Sequence, residues 1–300
     1  LLMEPYIEND AEVTKVFAVG GLVGSNTGTI TNCEINAGGL LQPAGTYIAG
    51  EANIGGMVGS HASANLIMGC ITSMRVDATW LTAKSSYVGG FCGVNKGNLS
   101  NKSGSTVGTG NKATGEVKGA SFLVRSATGG FLGYTTSAVA VVNGCGATGN
   151  VTESACNEAT ATNPELYTGG FCGFSEIDLT NTYSVGTLIP TATIVPERIV
   201  RRKGALTGLI SADKTVSNSF SITDESSGSK QLTFSGSQDL NNICKARNSH
   251  LRGDMLTEQG MADSATPATI ARLNNAVSAA NGYWSWNKSD VIYDGVPYIV

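Results

Sequence analysis

Short apolar runs, each introduced by a pair of glycines, recur along the first two thirds of the chain. The pattern is Gly-Gly-apolar-x-Gly, and its first glycine falls at positions 20, 55, 89, 129, 169 and 204. The sixth copy departs from the pattern at Ala205 and Thr207. Each copy follows a β-prone stretch such as Val16–Val19, so it predicts short strands joined by a tight glycine bend. Steps of 34 to 40 residues between copies indicate a stacked repeat architecture.

Two further phrases recur inside the repeats. The phrase apolar-x-Asn predicts a corner between strands, because asparagine tolerates the left-handed backbone. The phrase small-x-Gly-x-apolar, as in Ala113–Val117, predicts a third strand. Stacked corners are expected to form an asparagine ladder whose candidate members are Asn32, Asn101, Asn143, Asn181 and Asn218. A slot just after these asparagines is interpreted as core and holds Cys33, Cys70, Cys145, Tyr183 and Phe220.

Three short strands per repeat predict one coil of an all-β solenoid, a β-helix-like stack of about six repeats. A β-sandwich of hairpin-joined strands is the competing interpretation, and the steady period favours the solenoid. We assign residues 1–223 to the solenoid and residues 224–300 to a small mixed α/β C-terminal cap, with a helix at 266–280 and terminal aromatic strands. The apolar residue of each glycine phrase is predicted to face the core, which gives the file Leu22, Met57, Phe91, Phe131, Phe171 and Leu206.

The glycine phrases resemble the GLUG-motif family, most clearly over residues 19–35 and 167–188 of a match that spans about 16–222. Members of this family are similar to extracellular repeat regions of bacterial surface proteins, including large adhesins and regions attached to some secreted peptidases. The resemblance implies a β-solenoid-like stack and a secreted or surface location. It implies no catalytic residues, because the motif is structural.

Composition narrows the function classes. Charged residues make up 14% of the chain, against about 25% in ordinary soluble domains, and this is typical of extracellular β-rich repeat proteins. A net charge of −4 argues against a nucleic-acid partner. No apolar run is long enough for a membrane helix, so direct membrane insertion is not expected. Because no signal peptide is visible and the strand pattern begins by Val16, we expect a fragment or a mature chain.

The basic and cysteine residues add smaller expectations. The run Arg198, Arg201, Arg202 and Lys203 is interpreted as a solvated loop, with a processing site or an anion-binding patch as alternatives. Cys92 and Cys172 occupy a slot that otherwise holds mainly Val and Leu, so they are expected to be buried apolar residues. The candidate local disulfide joins Cys145 and Cys156.

The search for chemistry predicts no catalytic, cofactor or metal residues. The only histidines, His61 and His250, stand in no recognisable nucleophile or zinc motif, and nucleotide-binding and calcium-binding patterns are absent from the sequence. Glu176 and Asp178 are the one acid pair at strand-like spacing, which leaves a glycosidase as an alternative. Arg252, Gly253 and Asp254 form an integrin-type tripeptide and a candidate adhesion site.

The sequence therefore predicts a non-enzymatic extracellular or cell-surface stalk, adhesin or fibre segment without a cofactor. The expected partners are a host or cell-surface glycan or protein, or further copies of the chain. A carbohydrate-active solenoid enzyme and an accessory repeat region of a larger secreted peptidase remain the alternatives.

Overall fold

The chain folds as a parallel β-solenoid. The structure, a computed structural model, describes residues 16–36, 38–62, 64–100, 110–156, 164–191, 199–217, 219–221, 224–225, 245–247, 250–251, 284–285 and 298–299. The described residues form strands and their connections, without a helix. Every strand pair in the four large sheets is parallel and joins one repeat to the next.

Six rungs, numbered from the N-terminal end, each visit four sheets in the order A, B, C and D. Sheet A contains Val16–Gly20, Gly45–Gly55, Leu81–Gly89, Ser121–Gly129, Glu165–Gly169 and Val200–Gly204. Sheet B contains Val23–Asn26, Val58–His61, Cys92–Asn95, Leu132–Thr135, Cys172–Ser175 and Thr207–Ile210. Sheet D contains Leu40–Leu41, Arg75–Asp77, Val117–Lys118, Val151–Thr152, Thr187–Ile189 and Asp224–Glu225.

Sheet C is bent at a corner, so most rungs contribute two short strands to it. Its strands are Ile30–Thr31, Glu34–Ile35, Leu66–Met68, Ile71–Thr72, Asn98–Leu99, Asn111–Ala113, Val141–Ala147, Leu179–Ser184, Thr215–Ser217, Phe220–Ser221, Lys245–Arg247 and His250–Leu251. Sheets C and D thus continue past residue 223, and the predicted domain boundary stays a prediction. Trp284–Ser285 and Tyr298–Ile299 form a separate antiparallel pair.

The glycine phrases join sheets A and B through a bend of two residues. The first glycines of the six phrases lie beside one another in register at the end of sheet A. The third glycine packs directly on the backbone of a sheet A strand, where a side chain would collide with it. Because only glycine permits this approach, the recurring phrase forces successive rungs into the same arch.

The interior divides into two apolar compartments. One is formed by residues of sheets B and C, and the other mainly by residues of sheets A and D. Met57, Phe91, Phe131, Phe171 and Leu206 are fully buried in the first compartment. The phenylalanine rings stack along the axis, with centroids 4.6 Å apart for Phe91 and Phe131 and 5.0 Å for Phe131 and Phe171. A file of like side chains thus binds each rung to the next.

Leu22 departs from this file. It occupies the equivalent position in rung 1, and its amide donates to the Met57 carbonyl at 2.9 Å, but its side chain is 50% exposed. Rung 2 covers one side of it, and no described rung lies on the other side. The six copies look equivalent in the sequence. In the folded stack, however, the first described rung has a neighbouring rung on only one side, so its side chains are only partly covered.

These observations confirm the predicted all-β solenoid. Parallel pairing between neighbouring repeats excludes the sandwich, whose strands would pair antiparallel through hairpins. The predicted helix at 266–280 lies outside the described residues.

Candidate functional site

A surface recess lies at the corner between sheets B and C. Five residues connect these sheets in rung 4 and four do so in rung 6, but only three do so in rung 5 and two in rung 3. The short corner of rung 5 therefore lies between two longer ones. It forms the floor of a cleft of about 490 Å³ lined by Thr136, Ser137, Ala138, Ala140, Val141, Val142, Glu176, Ile177, Asp178, Thr180 and Lys214.

The acids predicted as the alternative catalytic pair both lie in this cleft. Thr136 Oγ1 donates to Glu176 Oε2 at 2.6 Å from rung 4. The Thr215 amide donates to Asp178 Oδ1 at 2.6 Å from rung 6. Each carboxylate is thus positioned by a neighbouring rung, and the side chain of Lys214 pairs with Asp213 at 2.6 Å on the rim.

The long corner of rung 4 has unusual features. Ser137 has φ of 100°, a conformation that non-glycine residues rarely adopt. Val139 and Val141 beside it are 61% and 47% exposed. Strained backbone conformations cluster at ligand and switch sites, and adjoining exposed apolar side chains are a feature of interaction surfaces. We therefore take this corner and its cleft as a candidate contact surface.

The structure describes only three of the five asparagines of the predicted ladder. Asn32 and Asn181 adopt the left-handed conformation, with φ of 53° and 52°, and Gly69 and Gly144 occupy the same corner in rungs 2 and 4. Asn143 precedes this corner by one residue and accepts a hydrogen bond from Asn181 Nδ2 at 2.7 Å. Asn101 and Asn218 lie outside the described residues, as do Arg252, Gly253, Asp254 and Arg198.

The sequence reasoning missed a polar file at the last position of sheet B. Its six positions are in register and all are buried, and five of them are polar: Asn26, His61, Asn95, Thr135 and Ser175, followed by Ile210 in rung 6. Asn26 and Asn95 each bind the backbone two residues ahead, at Gly28 and Gly97, and so close the turn. The detectable signal was a polar residue two positions after the third glycine in five of six repeats.

His61 is the member of this file in rung 2, and its imidazole ring is neutral. Its Nδ1 lies 3.1 Å from Asn26 Nδ2, and its Nε2 lies 2.9 Å from the Asn65 carbonyl oxygen. The amide nitrogen and the carbonyl oxygen require Nδ1 to accept and Nε2 to donate. Burial lowers the pKa of His61. This histidine is therefore a structural side chain.

We expect the free energy of unfolding to decrease as the pH falls below about 6.5, the ordinary pKa of histidine. Above that pH the ring is neutral in both states and contributes no pH dependence. Below it the unfolded chain binds a proton that the folded chain, with its lowered pKa, does not, so stability is lost down to the folded pKa. His61→Asn, the residue of rungs 1 and 3, should reduce this loss in urea unfolding between about pH 5 and pH 8. Equal pH profiles for both proteins would contradict the assignment.

The strand register corrects the predicted alignment of the cysteine positions. Cys33, Cys70 and Cys145 share a file, but its members in rungs 3, 5 and 6 are Asn111, Thr182 and Ser219, while Tyr183 and Phe220 lie one residue further on. Cys92 and Cys172 are fully buried, and burial raises the pKa of Cys92 to about 12. The predicted Cys145–Cys156 disulfide is wrong, because neither cysteine forms a disulfide and the two side chains lie in different apolar clusters.

The described part of the basic run, Arg201 to Lys203, is also not a solvated loop but part of a strand. Arg201 and Lys203 lie in the last sheet A strand and bind Glu153, whose side chain is fully buried. Arg201 Nε donates to Oε1 at 3.1 Å and Nη2 donates to Oε2, while Lys203 Nζ lies 3.5 Å from Oε1. The Thr191 amide also donates to Oε2, at 3.3 Å. The cluster fastens rung 4 to rung 6.

Within the described residues, no group of three or more histidine, cysteine, aspartate or glutamate side chains has the arrangement of a metal site. The same part of the chain contains no helix with the length and hydrophobicity of a membrane span. Comparisons with protein-family models, curated proteins and solved structures gave no match in any of the three. The resemblance to the GLUG-motif family therefore stays a prediction.

Proposed function

We propose that this chain is a non-enzymatic structural and adhesive segment of a secreted or cell-surface protein. The observation that carries the proposal is the contrast between a uniform interior and variable corners. The interior repeats the same glycine arch and apolar file in rung after rung. The corners between sheets B and C change length from two to five residues. A stiff rod with variable corners suits contact with an extended partner.

The outer surface is consistent with this role. Trp80, at the corner that leads from sheet D to sheet A, is 68% exposed, and Val139 is 61% exposed. Charged residues make up only 14% of the chain. Single exposed apolar side chains in a polar but weakly charged surface provide contacts that do not depend on strong electrostatic attraction.

The test is retention of the full chain on a surface. We expect the immobilised 300-residue protein to bind a glycan array or a panel of extracellular proteins. The binding should persist in about 0.5 M salt, because few charges take part. A heat-unfolded sample of the same chain is the control for non-specific adsorption. If the folded chain is retained no better than this control on any of the surfaces, the adhesive role is contradicted.

A carbohydrate-cleaving activity is the second candidate, because Glu176 and Asp178 both line the cleft of rung 5. Two carboxyl groups on an outer face are the machinery of most glycosidases. If this candidate is right, the wild-type chain releases reducing ends from a polysaccharide panel. Glu176→Gln and Asp178→Asn should each lower that rate by a factor of about 100 or more. A panel left uncut by the wild-type chain would remove this candidate.

A further inference from the structure

Two cysteines lie next to one another in the first two rungs of the stack. The strands on either side of the sheet C corner are paired in register, so Cys33 of rung 1 lies directly beside Cys70 of rung 2. The Cys33 amide donates to Cys70 Sγ at 3.5 Å. Neither cysteine forms a disulfide. The register thus places two free cysteines from adjacent rungs in contact.

Both cysteines have the same local geometry. Each follows a left-handed corner residue, Asn32 with φ of 53° and Gly69 with φ of 62°. Each thiol donates to the carbonyl oxygen two residues earlier, at 3.5 Å for Cys33 and 3.3 Å for Cys70. Paired Cα atoms in a parallel stack are about 4.8 Å apart, and disulfides span Cα separations of roughly 4.4 to 6.8 Å. The register therefore brings the pair within the range that a disulfide requires.

The two thiols differ in their access to solvent. Cys70 is fully buried, whereas Cys33 is only partly buried. No described rung covers the outer side of rung 1, where Leu22 is exposed as well. An oxidant in solution therefore reaches Cys33 first, and Cys70 lies behind it.

Among the described cysteines, no other pair lies in adjacent rungs of one file. Cys145 shares the file of this pair but lies between Asn111 and Thr182. Cys92 and Cys172 are both fully buried and lie two rungs apart. Within the described part of the chain, the first two rungs are thus the place where a disulfide can join one rung to the next.

We propose that a disulfide between Cys33 and Cys70 forms under oxidising conditions and fastens rung 1 to rung 2. The oxidant is a small disulfide such as oxidised glutathione. The Cys33 thiolate attacks one of its sulfur atoms, the bond between the two glutathione sulfurs breaks, and one glutathione leaves as a thiolate. The Cys70 thiol then gives up its proton, its sulfur bonds to Cys33 Sγ, and the second glutathione leaves. Two electrons pass from the protein thiols to the oxidant.

The location of this bond gives it a structural effect. Rung 1 has a described neighbour on one side only, and the bond closes the loop of a whole repeat, which restricts the unfolded chain. Burial raises the pKa of Cys70 to about 11, and the neighbouring Cys33 thiol adds to the increase. A thiol with a high pKa is a poor leaving group, so the disulfide resists reduction by attack on Cys33. This site is independent of the proposed adhesive function.

The bond is tested by peptide mapping of the full chain after incubation with an excess of oxidised glutathione and alkylation of the remaining thiols. Glu34 and Glu51 lie between the two cysteines, whereas no lysine or arginine does. Cleavage after glutamate therefore places the cysteines in separate peptides unless a disulfide links them. We expect the linked peptides from the wild-type chain, and their separation by dithiothreitol. Two alkylated thiols, or a link from Cys33 to any other cysteine, would overturn the proposal.

Two variants separate the roles of the thiols. Cys70→Ser introduces the residue that rung 6 has in this file, Ser219, and should retain one glutathione on Cys33, because no second thiol displaces it. Cys33→Ser changes a partly buried residue by one atom and should acquire neither a glutathione nor a disulfide at the buried Cys70. Glutathione on Cys70 in that variant would overturn the assignment of Cys33 as the attacking thiol.

Hydrogen exchange tests whether the bond fastens rung 1. The Leu22 amide, which donates to the Met57 carbonyl of rung 2, should exchange at least about tenfold more slowly in the oxidised than in the reduced wild-type chain. Amides of rungs 3 to 5 should not change. Cys33→Ser treated with the same oxidant is the matched control and should show no slowing. Equal exchange in rung 1 of the oxidised and reduced wild-type chains would disprove the fastening.

Discussion

Gly93→Ala should destabilise the solenoid by about 3 kcal/mol, at the upper end of what overpacking costs in a packed interior. Gly93 is the third glycine of rung 3, where sheet B lies against sheet A. An added Cβ would lie 2.6 Å from the Gly59 carbonyl oxygen and 2.8 Å from the Asn53 carbonyl carbon, and it would also collide with the Ile54 amide nitrogen. We expect the effect as a lower urea midpoint with an unchanged slope.

The size of this effect follows from which atoms collide. A side chain could rotate away from one added carbon, but these three contacts are all with backbone in the preceding rung. The two sheets must separate to relieve them, and that separation weakens the rung contacts on both sides.

Gly28→Ala is the matched control for the glycine substitution. A Cβ at this position meets only Asn26 Oδ1, at the ordinary contact distance of 3.7 Å. We expect a change within about 0.5 kcal/mol. If both variants lost the same stability, the cause would be the general preference of loops for glycine, and the close approach of the sheets would be disproved.

Glu153→Ala should cost about 3–5 kcal/mol in the free energy of unfolding, the range found when one partner of a buried ion pair is removed. The carboxylate is fully buried and is the common partner of Arg201 and Lys203, whose side chains are 32% and 17% exposed. Its loss removes the buried carboxylate that both cations bind. Urea unfolding measures the change.

The Arg125–Glu165 pair provides the comparison. It joins rungs 4 and 5, with Nε 2.5 Å from Oε2, but its side chains are 37% and 31% exposed. Because water and salt screen such a pair, Glu165→Ala should cost at most about 1 kcal/mol, and less as the salt concentration rises. Similar losses for the two variants would show that burial does not decide the strength of these ion pairs in this chain.

The fold was predictable from the sequence because its main determinant is local. The arch requires glycine wherever two backbones touch. The same glycine phrase therefore recurs at each arch, and the period of the stack can be read from the sequence. The buried apolar file follows from the same phrase. Only its end, Leu22, differs, since exposure there depends on the absence of a neighbouring rung among the described residues.

The register at the corners was harder to predict. Counting from the asparagine aligned Tyr183 with Cys145. In rung 4, however, the left-handed residue is Gly144, one position after Asn143, while in rung 5 it is Asn181 itself. Cys145 therefore lies beside Thr182. Either residue type suits the left-handed corner, so the backbone conformation, and with it the alignment, was ambiguous in the sequence.

The sequence by itself determined the repeat, the parallel stack and the glycine arch, because these arise from backbone sterics within one short phrase. Only the tertiary structure decided which side chains meet across rungs. Glu153 binds Arg201 at a sequence separation of 48 residues, and the buried side chain of Asn53 is in register with Tyr87 of the next rung. The cleft over Glu176 and Asp178 likewise exists only because a short corner is stacked between two long ones. Such juxtapositions depend on the register of whole rungs, which no local pattern records.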